Sequence, residues 1–429
     1  MLYCPHYLKK WTVPSINSPD LLKTNSIAFL SVVIGKEDIV GIELFSFEIV
    51  KNSITLIVIP FSNAFNFCYL IMDSFIVLDR NTDLNDEEID ATYIKIDNNE
   101  YLFSIVDIPY SMEADLDDDC VLVKIKAFSC NYRDKAWIKL FYERCENVST
   151  SDSFPFSYFG SDFVGEVVRI GKKVQAFAVG DRVIPDDSYP RKSDNVYGGV
   201  VTNVASKRIQ VFRESCLAKV PESMSDSEAA GFPLTALTSN SIISKANIKA
   251  KERVLVTSLF SNTTIGCLEF LRHCPDVEVY ALSTHAGDSA ALMAHFNIRH
   301  VFLPSDFSQD EGNSKMVFDV IIDPFADIHL EDLSYHLNYD ARYISCGLTN
   351  LTSINIDLQK VLVNFIATNS VFIGNCLGRP GALKAALAAY NRGKYEVYID
   401  SVFSGNQMSS FIKKTFNERH FGKVVYVYE

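Results

Sequence analysis

The sequence lacks several features that would assign the protein to a special class. No internal repeat and no low-complexity segment occurs in its 429 residues, and no two of its ten cysteines have CxxC spacing. The N-terminal MLYCPHYLKKW has no basic segment followed by an apolar core, so we expect no secretory signal. We therefore interpret the cysteines as reduced thiols inside a cytoplasmic protein, and we expect neither disulfides nor zinc ligands among them.

Basic charge is scarce as well. Forty Lys and Arg residues against 53 Asp and Glu residues give a formal charge of −13, whereas a nucleic-acid-binding protein needs a basic surface that neutralises phosphates. The longest uncharged run, residues 52–72, is interrupted by Pro60, Asn63 and Asn66, and it predicts a buried strand followed by a break, not a membrane span. With 48% hydrophobic residues, the chain should fold into two or three domains without nucleic-acid or membrane partners.

Short strand-like runs dominate the first half of the chain. Residues 1–105 contain six of them, from IAFLSVVIG to YLFSIV, separated by Asn, Asp, Lys and Pro. A second β-rich stretch has VLVKIKAF at 121–128, DFVGEVVRI at 162–170 and DRVIP at 181–185. These runs predict that β structure predominates up to about residue 225.

From about residue 226, strand-like and helix-like segments alternate. The predicted strands are RVLVTS (253–258), VEVYALS (277–283), HVFL (300–303), FDVIID (318–323), ARYISCG (341–347) and SVFIG (370–374). Between them lie helical patterns such as TIGCLEFLRH, LEDLSYHL and DLQKVLVNFIA. Strands spaced by helices form right-handed βαβ units, so we predict a doubly wound parallel sheet. Residues 376–429 then return to a helix, a strand (EVYID), a helix and a closing strand (KVVYVY).

Six segments resemble, in order, the segments of one known family. They are CNYRD (130–134), FGSDFVGEVVRIGKKVQAFAVGDRV (159–183), AAGFPLTALTS (229–239), FDVIID (318–323), RYISCG (342–347) and HFGKVVYV (420–427). The family is the medium-chain dehydrogenases/reductases, and the resemblance is to its zinc-free quinone oxidoreductase and enoyl reductase branch. It implies an α/β fold in which a GroES-like β-rich catalytic domain (106–225 and 376–429) is split by a Rossmann domain with a doubly wound parallel sheet (226–375).

The resemblance does not cover residues 1–105. We predict that they form an extra N-terminal β-rich domain, because their strand-like runs precede the first family match. Such a domain could recognise a substrate carrier, a peptide or a partner subunit. Alternatively, it is a purely structural cap on the reductase core.

The loop after the first strand of the Rossmann domain departs from the family pattern. A Rossmann phosphate loop carries GxGxxG, but the segment 258–266 keeps only its last glycine, Gly266. Four small polar residues of this loop could cap the following helix and hydrogen-bond a phosphate. They are Ser261, Asn262, Thr263 and Thr264. The alternative is an N-capped helix whose nucleotide site is degenerate and empty.

Three further positions bear on the cofactor. At the end of the second strand, Ser283 and Thr284 stand where NAD-preferring sites usually place an acid, so we expect NADPH to be favoured over NADH. By resemblance, Thr238 and Gly347 should lie at the cofactor cleft, Gly347 letting the chain pass close to the nicotinamide. An ordinary turn or a helical Thr that bonds its own backbone would explain the same residues without a ligand.

Zinc ligands are also missing from the positions where the resemblance would place them. Zinc-dependent members carry a Cys where CNYRD has Asn131 and a His-Glu pair where this chain has Ser161 and Asp162, so we expect no metal. Without a Lewis acid, reduction of an already activated C=C bond is more accessible than reduction of a ketone. Tyr132 is the first candidate to donate the proton or hold the carbonyl oxygen, the alternative being a tyrosine that only packs the domain interface, and Tyr142 is the second candidate.

The remaining residues of the CNYRD segment have two interpretations each. Asn131 could hydrogen-bond the nicotinamide ribose or the substrate, or it could cap the helix that follows. Arg133 and Asp134 are predicted to form a structural ion pair.

The sequence therefore predicts a zinc-independent, NADPH-dependent reductase of an activated C=C bond. The substrate would be a small or a carrier- or peptide-bound α,β-unsaturated carbonyl, quinone, enoyl or dehydroamino-acid compound. The alternative is a non-catalytic or partner-dependent relative with a degenerate nucleotide site. Whether the protein forms a homodimer stays open at this point.

Overall fold

The computed structural model describes residues 26–34, 39–50, 53–59, 69–79, 91–111, 115–147, 156–188, 200–284, 290–307, 316–349 and 355–429. Its strands, in chain order, are β1 (Ser26–Ile34), β2 (Ile39–Val50), β3 (Ser53–Ile59), β4 (Tyr69–Leu78), β5 (Ala91–Ile96), β6 (Asn99–Ser111), β7 (Cys120–Ser129), β8 (Phe156–Ser157), β9 (Asp162–Ile170), β10 (Arg182–Pro185), β11 (Ile209–Arg213), β12 (Leu217–Lys219), β13 (Arg253–Val256), β14 (Glu278–Leu282), β15 (Ile298–Phe302), β16 (Phe318–Asp323), β17 (Leu337–Ser345), β18 (Val371–Gly374), β19 (Ile399–Ser404) and β20 (Lys423–Val427). Its α-helices are α1 (Tyr132–Asn147), α2 (Asp226–Gly231), α3 (Pro233–Ala246), α4 (Asn262–Leu271), α5 (Ala290–Phe296), α6 (Ala326–Ser334), α7 (Leu358–Ala367), α8 (Ala382–Asn391) and α9 (Met408–Phe416).

The second half of the chain contains a six-stranded sheet whose strands are all parallel. Their order is β15-β14-β13-β16-β17-β18, so the sheet starts in its middle at β13 and is wound outward in both directions. The apolar runs of the inner strands β13, β14, β16 and β17 are buried, as is typical of parallel sheets that are covered by helices. The predicted doubly wound sheet is confirmed. In sheets of this order, ligands bind where the winding direction changes, outside the carboxyl ends of the strands.

Two element boundaries differ from the sequence prediction. The segment LEDLSYHL was expected to be helical throughout, but α6 ends at Ser334 and β17 begins at Leu337, which pairs with Phe318 of β16. The strand predicted at EVYID begins only at Ile399, since the backbone amide of Glu396 donates to the buried carboxylate of Glu269 instead of to a neighbouring strand.

A mixed sheet forms the other large unit. It runs β12-β10-β9-β7-β20-β19, and β11 also pairs with β7. Strand β20, from the C-terminus, is antiparallel to β7, so residues after 376 complete the sheet that begins near residue 120. The GroES-like and Rossmann-like parts of the predicted fold are therefore both present.

The N-terminal strands do not form one separate domain. Strands β1 to β3 make a three-stranded antiparallel sheet, while β5, β6, β4 and β8 make another. The second sheet shares its core with the mixed sheet: the ring of Phe75 lies 5.0 Å from that of Phe159 and 5.9 Å from that of Phe411. The predicted boundary at residue 105 falls inside β6, and strands β4 and β6 bury apolar side chains in the same core as the mixed sheet.

The uncharged run 52–72 gives β3 and the start of β4, as its apolar pattern predicts, and residues 60–68 lie outside the described part. No helix in the described part of the chain is long and apolar enough to cross a bilayer. None of the eight described cysteines forms a disulfide, and four of them are buried.

Candidate functional site

The N-terminus of α1 faces the carboxyl edge of the parallel sheet. Tyr132, the first residue of α1, is 49% exposed, and its ring centroid lies 5.1 Å from that of Phe325, two residues beyond the end of β16. Partial burial, followed by the nearby carboxylates of Asp97 and Asp327, raises the pKa of the Tyr132 hydroxyl. This hydroxyl therefore keeps its proton at neutral pH, at the place where α1 meets the loop after β16.

Asn131, the residue before α1, belongs to a buried polar cluster. Its Nδ2 donates to Ser161 Oγ at 3.0 Å and to Asp162 Oδ2 at 2.9 Å, and its Oδ1 accepts from Lys423 Nζ at 2.6 Å. The ammonium of Lys423 also bonds Asp162 Oδ2 at 2.8 Å. We call Asn131, Asp134, Ser161, Asp162 and Lys423 the Lys423 hub.

Asp134 is the second carboxylate of the hub. Its Oδ2 accepts from the Asn131 backbone amide and from Ser161 Oγ, each at 2.7 Å, while its Oδ1 has no hydrogen-bond partner. Arg133 Nη1 lies 3.8 Å from Oδ1, as predicted for a structural pair. Complete burial outweighs these favourable interactions and raises the pKa of Asp134 to about 6.

The hub contains the two positions at which the sequence comparison expected zinc ligands in other members of the family. Asn131 and Ser161 are neighbours in the structure, since their side chains hydrogen-bond each other. The residues do not fit a zinc ion, however, because an amide and a hydroxyl replace Cys and His and an ammonium lies beside them.

The hub also fixes the start of α3. Asp162 Oδ1 accepts from the backbone amide of Leu234, in the first turn of α3. Gly231, just before this helix, packs against the lysine stem: a Cβ at position 231 would lie 3.0 Å from Lys423 Cγ. The hub therefore joins α1, β9, α3 and β20 at one point.

The loop between β13 and α4 has the shape of a phosphate loop in two respects. Ser258 adopts a left-handed backbone (φ 52°), a conformation that glycine adopts with less strain. Gly266 is fully buried against α3, since a Cβ there would lie 2.8 Å from Ser239 Oγ and 3.0 Å from Thr235 Cγ2. The one glycine that the loop retains is thus the one that close helix packing requires.

The polar side chains of this loop divide into two groups. Ser261 is the N-cap of α4 and makes no side-chain cap bond, and Asn262 follows it, half-buried. Thr264 is fully buried and donates to the Thr257 carbonyl at 2.7 Å, while Thr263 hydrogen-bonds the thiol of Cys346. Ser261, Asn262 and the N-terminus of α4 therefore fit a phosphate, whereas the side chain of Thr264 serves the fold.

Three of the other predicted site residues directly follow strands of the parallel sheet. Ser283 is buried and Thr284 exposed directly after β14. Gly347, after β17, accepts from the Ala326 amide at 3.3 Å and so holds two neighbouring loops together. Thr238 is buried on α3. These positions are consistent with a cofactor cleft, and their individual roles stay predictions.

Tyr142 is not brought to this cleft. It is buried, its hydroxyl accepts from the Leu102 amide at 2.6 Å, and its ring packs on Tyr101 of β6. Ten residues along a helix place it about 15 Å from Tyr132 and on another face. The structure thus gives Tyr142 a packing role, and the catalytic role of Tyr132 stays a prediction.

A second polar cluster connects α4 to the catalytic domain. Fully buried Glu269 accepts from the Tyr398 hydroxyl at 2.6 Å, and His295 and Glu396 lie close enough to share a cation. The guanidinium of Arg272 already lies between them, 2.9 Å from Glu396 and 3.2 Å from Glu269. We therefore interpret this cluster as an ion-paired contact between the domains.

Sequence reasoning missed Lys423 and the role of Asp162. The signal was present, because a lysine that opens the apolar run KVVYVY and an acid that opens DFVGEVV both stand where strands become buried. Charged residues in such places are rarely buried without a partner.

Comparisons with known proteins agree with this architecture. Residues 117–221 match the family model described as the alcohol dehydrogenase GroES-like domain. Probable polyketide synthase 34 of Dictyostelium discoideum is 22% identical over 362 residues, which are 78% of this chain and 11% of that protein. The chain thus spans about a tenth of the length of this curated relative.

Solved structures give the same result at the level of the fold. A thermostable alcohol dehydrogenase from Pyrobaculum aerophilum matches with a TM-score of 0.62 and 20% identity, over 82% of this chain and 99% of that one. The CurK enoyl reductase matches with a TM-score of 0.58 and 18% identity, over 83% of this chain and 100% of that one. At these identities, the likeness defines the fold and leaves the reaction to be argued from the site.

Proposed function

Since the chain has the fold of the medium-chain dehydrogenases/reductases, we propose that it is a zinc-independent, NADPH-dependent reductase of an activated C=C bond. The observation that carries the proposal is the combination of a donor hydroxyl at the cleft, Tyr132, with a Lys423 hub where a metal would otherwise be held. The polyketide synthase and enoyl reductase relatives support the choice of an enoyl or other conjugated carbonyl substrate, free or bound to a carrier.

We assign cofactor binding and substrate activation to different residues according to their positions. Ser261, Asn262 and the N-terminus of α4 would bind the pyrophosphate of the cofactor, and Ser283 and Thr284 would lie near its ribose 2′-phosphate. The bound cofactor supplies a hydride for the β-carbon of the substrate. Tyr132 donates a hydrogen bond to the carbonyl oxygen, on which negative charge develops as the double bond is reduced.

Tyr132→Phe tests the proposal at the reacting end of the site. One well-placed donor to a developing oxyanion contributes roughly 3 kcal/mol, so the variant should turn over a conjugated substrate about a hundredfold more slowly. NADPH affinity should hardly change, because the ring and its contact with Phe325 are kept. Tyr339→Phe, at a 72% exposed tyrosine on the amino-terminal half of β17, is the matched control. A Tyr132→Phe rate within threefold of the parent would refute this role.

Zinc independence has its own test. The purified protein should contain no stoichiometric zinc, and strong chelators should leave turnover unchanged, because Asn131, Ser161 and Lys423 provide no ligand set. One tightly held zinc per chain, lost together with activity on chelation, would contradict the proposal.

One observation favours the alternative, a reductase-like protein that does not bind nucleotide. The guanidinium of Arg419 stacks on Phe260 of the loop between β13 and α4, 4.1 Å from the ring centroid, and so covers this loop from the catalytic domain. If Arg419 is a lid, Arg419→Ala should strengthen NADPH binding. Absence of saturable NADPH binding in both proteins would favour the alternative.

A further inference from the structure

In the Lys423 hub, the zinc ligands are missing and a buried lysine is present as well. We propose that the ammonium of Lys423 serves in this fold where other members would use a metal ion. It fixes the side chain of Asn131 by a hydrogen bond and excludes divalent cations from the hub. This inference does not depend on the substrate or on catalytic activity.

The ammonium lies next to the positions at which the two missing metal ligands would stand. Lys423 Nζ lies 2.6 Å from Asn131 Oδ1, and Asn131 Nδ2 lies 3.0 Å from Ser161 Oγ. A metal bound by side chains at both positions would sit about 2.0–2.3 Å from each ligand atom. Its charge would therefore lie close to the ammonium of Lys423, whose side chain is 2% exposed.

The charges of the hub are already balanced. Asp162 is paired with Lys423 at 2.8 Å, and Asp134 has Arg133 at 3.8 Å. A divalent ion added to these four groups would find both carboxylates neutralised and would be repelled by the neighbouring ammonium. Removing the charge of Lys423 would leave Asp162 free to act as a metal ligand.

Gly231 leaves room for the aliphatic stem of Lys423. A Cβ at position 231 would lie 3.0 Å from Lys423 Cγ and 3.1 Å from its Cβ, and 3.2 Å from Ile399 Cδ1. A glycine at position 231 therefore leaves the passage through which the stem of Lys423 reaches the hub. The packing of the stem and the bonds of the ammonium are two separate observations, and both assign the lysine to this place.

A grafted ligand set tests the proposal. Asn131→Cys/Ser161→His introduces the two missing ligands and keeps Lys423, whereas Asn131→Cys/Ser161→His/Lys423→Met also removes the ammonium. Each full-length protein is titrated with Co²⁺ alone, and binding is followed by the thiolate-to-cobalt absorption and by the shift in melting temperature. Lys423→Met by itself is the control for adventitious binding to other cysteines.

We expect the triple variant to bind Co²⁺ at least a hundredfold more tightly than the double variant and to gain thermal stability from it. If the triple variant is unfolded without metal, refolding in Co²⁺ should restore its circular dichroism. Equal affinity of the two variants would overturn the proposal. It would also be overturned if the triple variant neither bound Co²⁺ nor folded in its presence, since the metal could then not replace the ammonium.

Discussion

Removing the charge of Lys423 alone should destabilise the protein more than removing it together with the charge of Asp162. The two side chains are 2% and 0% exposed and their charged atoms lie 2.8 Å apart. Breaking a buried pair by removing one partner costs about 3–5 kcal/mol, because the other charge stays buried. Asp162 would keep its bonds from Asn131 Nδ2 and the Leu234 amide, so we expect the lower end, about 3 kcal/mol, for Lys423→Met.

The double variant Asp162→Asn/Lys423→Met should recover most of this loss and lie within about 1 kcal/mol of the parent protein, since no unpaired charge remains. The free energy of unfolding is measured by urea titration followed by circular dichroism, with the m-value as a check on the transition. Lys126→Met is the matched control, because Lys126 pairs with Asp226 at 2.7 Å on the surface and should cost less than about 1 kcal/mol. If Lys423→Met costs no more than Lys126→Met, the buried pair is not what holds the hub.

Three further changes test other parts of the structure. Because burial raises the pKa of Asp134 to about 6, the protonated carboxyl stabilises the folded protein. This stabilisation is complete below pH 3.8 and is lost as the pH rises through 6. Relative to the parent, Asp134→Asn should therefore gain about 2 kcal/mol between pH 4.5 and 7.5 in urea titrations, and an unchanged difference would contradict the shift. Ser258→Gly relieves a left-handed backbone and should raise the free energy of unfolding by roughly 0.5–1 kcal/mol; a loss would mean that the serine side chain is needed there. Phe75→Ala should cost about 3–5 kcal/mol in the catalytic-domain transition, whereas an independent N-terminal domain would leave that transition unchanged.

The sequence predicted the parallel sheet well because its signals are local. FDVIID and SVFIG are apolar runs bounded by polar residues, and both became strands within one residue of the expected limits. The continuous apolar pattern predicted a strand in both cases, although only FDVIID is buried, whereas Val371 and Phe372 of the edge strand β18 are about half exposed. Helices between them followed from their 3.6-residue periodicity.

The N-terminal boundary could not be predicted in the same way. Strand patterns such as SFIVLD and YLFSIV reveal that a segment is β, but not which sheet its apolar face covers. Phe75 and Phe103 pack against residues more than 50 positions away, including Phe159. Such a contact depends on the tertiary arrangement and cannot be read from the spacing of apolar residues within one strand.

The candidate site was predicted in part. Asn131 and Ser161, the two positions singled out because zinc-dependent members carry ligands there, are neighbours in the structure, and Tyr132 contacts Phe325 beyond the end of β16. Tyr142 was placed by its residue type alone, and helix geometry carries it into the core. Lys423 was missed because its importance arises only when β20, the last strand, reaches Asn131, 292 positions earlier in the chain.

The most direct test of the account is NADPH binding and oxidation by the metal-free protein. The chain is treated with a strong chelator, titrated with NADPH by fluorescence, and then given a conjugated enoyl thioester while absorbance at the nicotinamide band is followed. The account predicts saturable binding and oxidation of NADPH that depends on the conjugated substrate. Absence of saturable binding up to millimolar NADPH, or activity that appears only when zinc is added back, would contradict it.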